Sequence, residues 1–279
     1  MNKIAFLFLI YDMINHENIW HRYFRGGVRK SQYNIYIHYK TDVRLEFFDE
    51  YKIDKSKIID TKYADISIVK AQNILIKEAL KDVKNTHFIF LSGSCIPLKS
   101  FDYLYHYLEP KYSYFHVADP DDCFPDCEVA LQYIPKRHIH KASQWCILNR
   151  KHAELLTDGA TATDASASAT ANTYLRWFEY TYAPDELCYI SYLSYIYNDT
   201  LDDEIIATSY HSPPEVATTF ANWEDMNYKY VSERELKNYK SISEEELEHL
   251  LRSKSLFGRK FKPSCYPSLN KKIYYDTIA

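Results

Sequence analysis

Tyr182-Ala183-Pro184-Asp185-Glu186-Leu187 puts two adjacent carboxylates directly after a proline. Proline suits the first turn of a helix, where its missing N–H would have no partner anyway. Asp185 and Glu186 then fall in that turn, where the helix dipole favours negative charge. A carboxylate held so rigidly at a helix end is well placed to act as a general base. The same residues also read as plain charge complementation of a helix start. Neighbours on a helix point about 100° apart, so only one of the two is expected to face a substrate. A second acidic group, Asp119-Pro120-Asp121-Asp122, has Asp-x-Asp spacing suited to a divalent ion, although Asp-Pro-Asp is common turn chemistry and the turn is the favoured reading. Cys123 and Cys127 followed by His138 and His140 have a loosely zinc-like look. Their irregular spacing and the His-x-His pair argue against a zinc site, so no metal is assigned.

The elements that must carry these residues alternate between strand and helix. Residues 3–10 read as a buried strand, followed by a helix around Trp20 to Phe24. Asn34 to His38 alternates like a strand, and Lys57 to Asp60 is a shorter candidate. Ile68, Ala71, Ile74, Leu75 and Ala79 recur at helical spacing within Ser67 to Lys81. His87 to Leu91 is a further strand ending in the turn Ser92-Gly93-Ser94; Phe101 to Leu108 reads as helix and Tyr112 to Val117 as strand. This order predicts a Rossmann-like α/β fold whose ligand lies beyond the carboxyl ends of the strands. Tyr11, the His38 to Lys40 turn and Ser92 to Ser94 would then share one rim. Leu187 to Tyr197 is a strongly apolar helix, and Ser243 is a plausible N-cap for an acidic-first helix to Ser253. Residues 157–173 are low-complexity, small and polar, which predicts an exposed flexible loop, or a lid over an acceptor.

Four segments, in order, carry a resemblance: Lys3 to Leu9, Phe90 to Leu98, Ser143 to Arg150 with Ala183 to Glu186, and Leu256 to Phe261. Together the set resembles the Core-2/I-branching glycosyltransferase family, which includes branching N-acetylglucosaminyltransferases and xylosyltransferases. The resemblance implies a Rossmann-like fold of the GT-A type, with a central, mostly parallel sheet flanked by helices. It implies an inverting, metal-independent transfer of a sugar from a UDP-sugar to a hydroxyl of a glycan, with no cofactor. UDP-GlcNAc is the first choice of donor, ahead of UDP-xylose and UDP-glucose. Glu186 would be the base, and Arg259 and Lys260 would hold the diphosphate in place of a metal. Without the resemblance, those two basics read as a solvated surface pair. Tyr11, His38, Lys40 and Ser94 fall where the family binds the nucleotide. Lys136 and Arg137 match a basic stretch near the acceptor side, to which Asp185 is also assigned. Trp145 reads either as a stacking face beneath an acceptor sugar or as core. The loop at 157–173 departs from the family pattern.

Composition sets outer bounds. The 279 residues suffice for one substantial domain, 1–279, with a nucleotide-sugar half at 1–118 and an acceptor and catalytic half at 119–279. A net charge of −4 argues against a sequence-independent nucleic-acid binder. Twenty-seven tyrosines offer flat surfaces for sugars, and most are expected to pack. The apolar run Phe6 to Ile10 is too short for a signal core or a membrane span. Six scattered cysteines fit a reducing compartment, so a cytoplasmic protein is expected, or a Golgi protein if the chain is a trimmed catalytic domain. Two rival readings remain open: a metal-dependent transferase or phosphohydrolase built on Asp119, Asp121 and Asp122, and a non-catalytic glycan-binding protein.

Overall fold

The computed structural model describes residues 3–25, 30–118, 127–158, 173–210, 212–213, 216–224 and 235–278. Eleven strands among them are β1 (Lys3–Ile10), β2 (Tyr33–Tyr39), β3 (Asn85–Ser92), β4 (Ile96–Pro97), β5 (Ser113–Val117), β6 (Ile147–Asn149), β7 (Ile205–Ser209), β8 (Thr219–Ala221), β9 (Trp223–Glu224), β10 (Glu235–Leu236) and β11 (Phe257–Arg259). Six form the main sheet in the order β2-β1-β3-β6-β5-β7. β1 pairs in parallel with both β2 and β3, and β5 with β7, whereas β6 runs antiparallel between β3 and β5. The result is a mixed, mostly parallel sheet of the GT-A-like kind. Strands from both halves of the chain build it.

β1 shows why both faces are covered. Its sequence, Lys-Ile-Ala-Phe-Leu-Phe-Leu-Ile, is apolar on both alternating sides, the pattern of a strand with no solvent face. Ile4, Phe6, Phe8 and Ile10 pack with Trp20, Tyr23 and Phe24 of α1 (Glu17–Arg25). Ala5 and Leu7 belong to the opposite core, with Val69, Leu75 and Ile76 of α2 (Ile66–Leu80). Burying each phenylalanine fully is worth roughly 1.5–3 kcal/mol. Asp65 caps α2 by accepting from the Ser67 N–H. Four further helices are α3 (Phe101–Tyr107), α4 (Arg150–Asp158), α5 (Thr173–Trp177) and α6 (Cys188–Tyr197). α6 is buried along most of its length, as its apolar run requires. Ser243 accepts from the Glu246 N–H and caps α7 (Glu244–Arg252), as its position before three glutamates implies.

Two local expectations change, over Lys57 to Asp60 and over Pro184 to Glu186. Lys57 to Asp60 is not a strand: Asp54 accepts from the Ser56 N–H and closes a 3-10 turn over Lys55–Lys57. A side chain that captures a nearby N–H competes with sheet pairing there. Phe220 to Trp223 is divided between β8, which pairs with β11, and β9, which pairs with β10. Pro184–Glu186 is a separate 3-10 turn, not the first turn of the following helix. Ala183 takes a left-handed φ of 48° before it, and α6 starts only at Cys188. Asp119 to Asp122, Cys123 and residues 159–172 lie outside the described residues.

Candidate active site

A cavity of about 710 Å³ opens at the carboxyl ends of β1 and β3. Tyr11, Asp12, Met13 and Asn15 line it from the segment after β1, and Ser92, Gly93 and Ser94 from the turn after β3. Arg259 and Lys260 enter from the end of β11, with Gln144, Trp145, Asp185 and Glu186 on the same wall. Main-chain contacts join these distant segments. The Phe261 N–H donates to the Ser94 carbonyl at 3.0 Å, and the Asn15 N–H to the Gly93 carbonyl at 2.7 Å. The Asn15 side chain donates to the Phe261 carbonyl at 2.7 Å. The approach is close enough that a Cβ on Gly93 would lie 2.2 Å from the Met13 carbonyl oxygen, so only glycine fits.

The Pro184–Glu186 turn is held from two sides. The Glu186 N–H donates to the Ala183 carbonyl at 3.0 Å, and its own carbonyl accepts from the Ala142 N–H at 2.7 Å. One carboxylate oxygen of Glu186, Oε2, lies 3.3 Å from Lys141 Nζ. Asp185 also lines the cavity, so the expectation that only one of the pair could face it does not hold. A 3-10 turn at the cavity lip presents both. Asp185 Oδ1 is sealed from solvent without a hydrogen-bond partner. Burial, and then the neighbouring charge of Glu186, push its carboxyl up to about 7.

Arg259 supplies the positive charge. Its guanidinium stacks over the Trp145 ring, 4.4 Å from the centroid. Such contacts are worth ~0.5–2 kcal/mol, more when desolvated. Burial lowers its pKa from the usual arginine value, opposed by Cys95, Glu186 and Asp185. Arginine nevertheless stays charged in proteins. Among the described residues no carboxylate comes within ion-pair distance of it, and its Nε is buried without a partner. A cation with no ion-pair partner among the described residues suits an anionic ligand. Lys260, its neighbour, has its pKa lowered by burial and by Arg259. A smaller cavity of about 140 Å³ lies across the wall formed by Trp145, Glu186, Trp223 and Arg259. His116, Ser143, Tyr210 and Asn222 also line it.

The structure thus gathers Tyr11, Ser94, Trp145, Asp185, Glu186, Arg259 and Lys260 around one cavity. It leaves four candidates elsewhere. His38 is fully buried inside β2, its Nε2 accepting from the Ile59 N–H at 3.2 Å, and burial lowers its pKa to about 4. The position is a strand interior, not the turn the sequence implied. Lys40 donates to the Thr61 carbonyl at 2.6 Å and sits 3.5 Å from Asp60, so it braces a loop beside Tyr11. Lys136 and Arg137 are exposed on a 3-10 turn, Lys136–His138, away from both cavities. His138 and His140 each lie 3.1 Å from the Ser194 hydroxyl, a structural pairing, and no metal-binding cluster occurs among the described residues. Lys141, Gln144 and Tyr63 were not singled out from the sequence. Gln144 lies within Ser143-Gln144-Trp145 and Lys141 two residues before it, the one available signal; Tyr63 sits in an irregular loop that gives none.

The sheet and its edge cavity define a GT-A-like α/β protein with acidic and basic groups facing one ligand space. Sequence comparison narrows the class. The profile of the Core-2/I-Branching enzyme family matches residues 4–251, and the chain belongs to that family. It is also 30% identical over 169 residues to glycosyltransferase BC10 of Oryza sativa subsp. japonica. That match covers 56% of this chain and 40% of the relative, well under half of the relative's length.

Proposed function

We propose that this chain is an inverting glycosyltransferase that moves a sugar, GlcNAc first among candidates, from a UDP-sugar to a hydroxyl of a glycan. The observation carrying the reading is the cavity that Glu186 shares with Arg259, whose Nε is buried without a hydrogen-bond partner among the described residues. The acceptor hydroxyl gives its proton to Glu186 as its oxygen bonds to the anomeric carbon. The bond from that carbon to the diphosphate breaks, and the electron pair leaves with UDP. One carboxylate suffices because the acceptor attacks directly, with inversion. Arg259 and Lys260 meet the charge that develops on the departing diphosphate, a role served elsewhere by a divalent ion. On this reading no metal is needed. The larger cavity takes the donor and the smaller one the acceptor, with Trp145 in the wall between them. We read the whole chain as one domain with the nucleotide handled largely by residues 1–118.

Glu186→Gln should lower transfer by about 10²–10⁴-fold while leaving UDP affinity within a factor of about two. Activity equal to the parent would remove Glu186 as the base. Calorimetric titration with UDP and UDP-sugars should give binding that survives EDTA, with the tightest donor naming the sugar. Binding that requires manganese would shift the diphosphate site to the Asp119 to Asp122 segment. None of the described helices is long and apolar enough to cross a membrane, and Cys95, Cys146, Cys188 and Cys265 are buried free thiols. Those thiols support a reducing, cytoplasmic setting, which cell fractionation of the full protein would check.

A further inference from the structure

Glu186 does not stand alone on its turn. Lys141 Nζ lies nearest its Oε2, at 3.3 Å. Both side chains are largely withdrawn from water, 18% exposed for Lys141 and 27% for Glu186. A pair so desolvated interacts more strongly than one on the surface. Lys141 lines neither cavity, whereas Glu186 lines both. No other carboxylate among the described residues pairs with it. Its backbone is fixed from both sides. The Lys141 carbonyl accepts from the Ala118 N–H at 2.8 Å, just beyond β5. The next residue, Ala142, bridges Val117 and donates to the Glu186 carbonyl at 2.7 Å. Origin and target of the ammonium are therefore set by the same short stitch.

We propose that Lys141 is the positioning residue of this site: it holds one oxygen of Glu186 and turns the other toward the acceptor hydroxyl. This rests on Glu186 being the base. Adjacent carboxylates resist double ionisation, and a cation beside one of them decides which carries the charge. Asp185 has the sealed oxygen and no cation in contact, so it is the member that keeps a proton. Its carboxyl, held up near neutrality by burial, fits that division. Without Lys141 the Glu186 carboxylate loses its orientation.

The test uses Lys141→Met, Lys141→Arg, Glu186→Gln and the Lys141→Met/Glu186→Gln double variant of the full chain. UDP release is followed from the best donor among UDP-GlcNAc, UDP-glucose and UDP-xylose, with UDP affinity measured by calorimetry in parallel. Lys141→Met should lower kcat about tenfold or more, with UDP affinity unchanged within about twofold, and Lys141→Arg should restore most of the loss. In the Glu186→Gln background the Lys141→Met change should cost little further, because the two act as one unit. Equal losses in both backgrounds would overturn the positioning role while leaving Glu186 as base. A Lys141→Met enzyme with parental kcat, or one that loses UDP affinity in step with kcat, would overturn it as well. Full activity of Glu186→Gln would instead sink the base assignment, and this inference with it.

Discussion

Arg259 and Trp145 show how one residue pair gives the cavity its charge. A guanidinium is planar and lies flat on an indole while its edge N–H groups face outward. Lysine is a compact point charge on a flexible stem and cannot do both. Arg259→Lys should therefore weaken UDP binding by about tenfold despite keeping the charge, measurable by calorimetry. Unchanged affinity would mean that the stack against Trp145 does not orient the cation. The same pair resolves what was open in the sequence: Trp145, only 7% exposed, is both a buried core aromatic and part of the cavity wall. Lys40, Lys136 and Arg137 carry equal charge yet face loops or solvent. Charge alone did not separate these cations; burial and the position of the backbone did.

At the scale of elements, the site depends on turns more than on helices. The turn after β3 and the segment after β1 meet at Gly93, where any side chain collides with the Met13 carbonyl. Gly93→Ala must push these segments apart and strain the Asn15 contacts to Gly93 and Phe261. A loss of ~1–3 kcal/mol is expected. That corresponds to a fall in Tm of at least about 2 °C for a chain of this size, with weaker UDP binding. Thermal denaturation at parental Tm would show that the loop gives way freely. The Pro184–Glu186 turn makes a related point. Proline followed by two acids reads as a helix start, but a left-handed Ala183 precedes a separate 3-10 turn, whose Glu186 carbonyl accepts from the Ala142 N–H. That contact spans 44 residues of sequence and leaves no local signature.

For the whole molecule, the Asp185 carboxyl ties folding to pH. Its folded pKa of about 7 stands above the usual 3.8. Between those values the folded protein holds a proton that the unfolded chain has released. Stability accordingly falls as pH rises through this window, and the penalty is fully present above about pH 7. Asp185→Asn removes that cost. Its Tm should exceed the parent's at about pH 8 and match it at about pH 4. A Tm difference that does not vary with pH would show that Asp185 ionises freely in the folded state. Tolerating a destabilising acid beside a candidate base is the kind of exchange expected at a functional site.

The sequence by itself determined the alternation of strands and helices, the two-sided burial of β1 and the cap of α7. It also carried the family, through four ordered segments. These are properties of local pattern: an apolar strand or an N-cap serine works through its immediate neighbours. The tertiary structure decided which charges meet. It buried His38 inside β2, set Lys136 and Arg137 aside, brought Arg259 onto Trp145 and placed Lys141 against Glu186. Each of those outcomes depends on where segments far apart in the chain come to lie, and electrostatic strength depends on the water that packing removes. Neither quantity is written in the spacing of residues along a strand or helix.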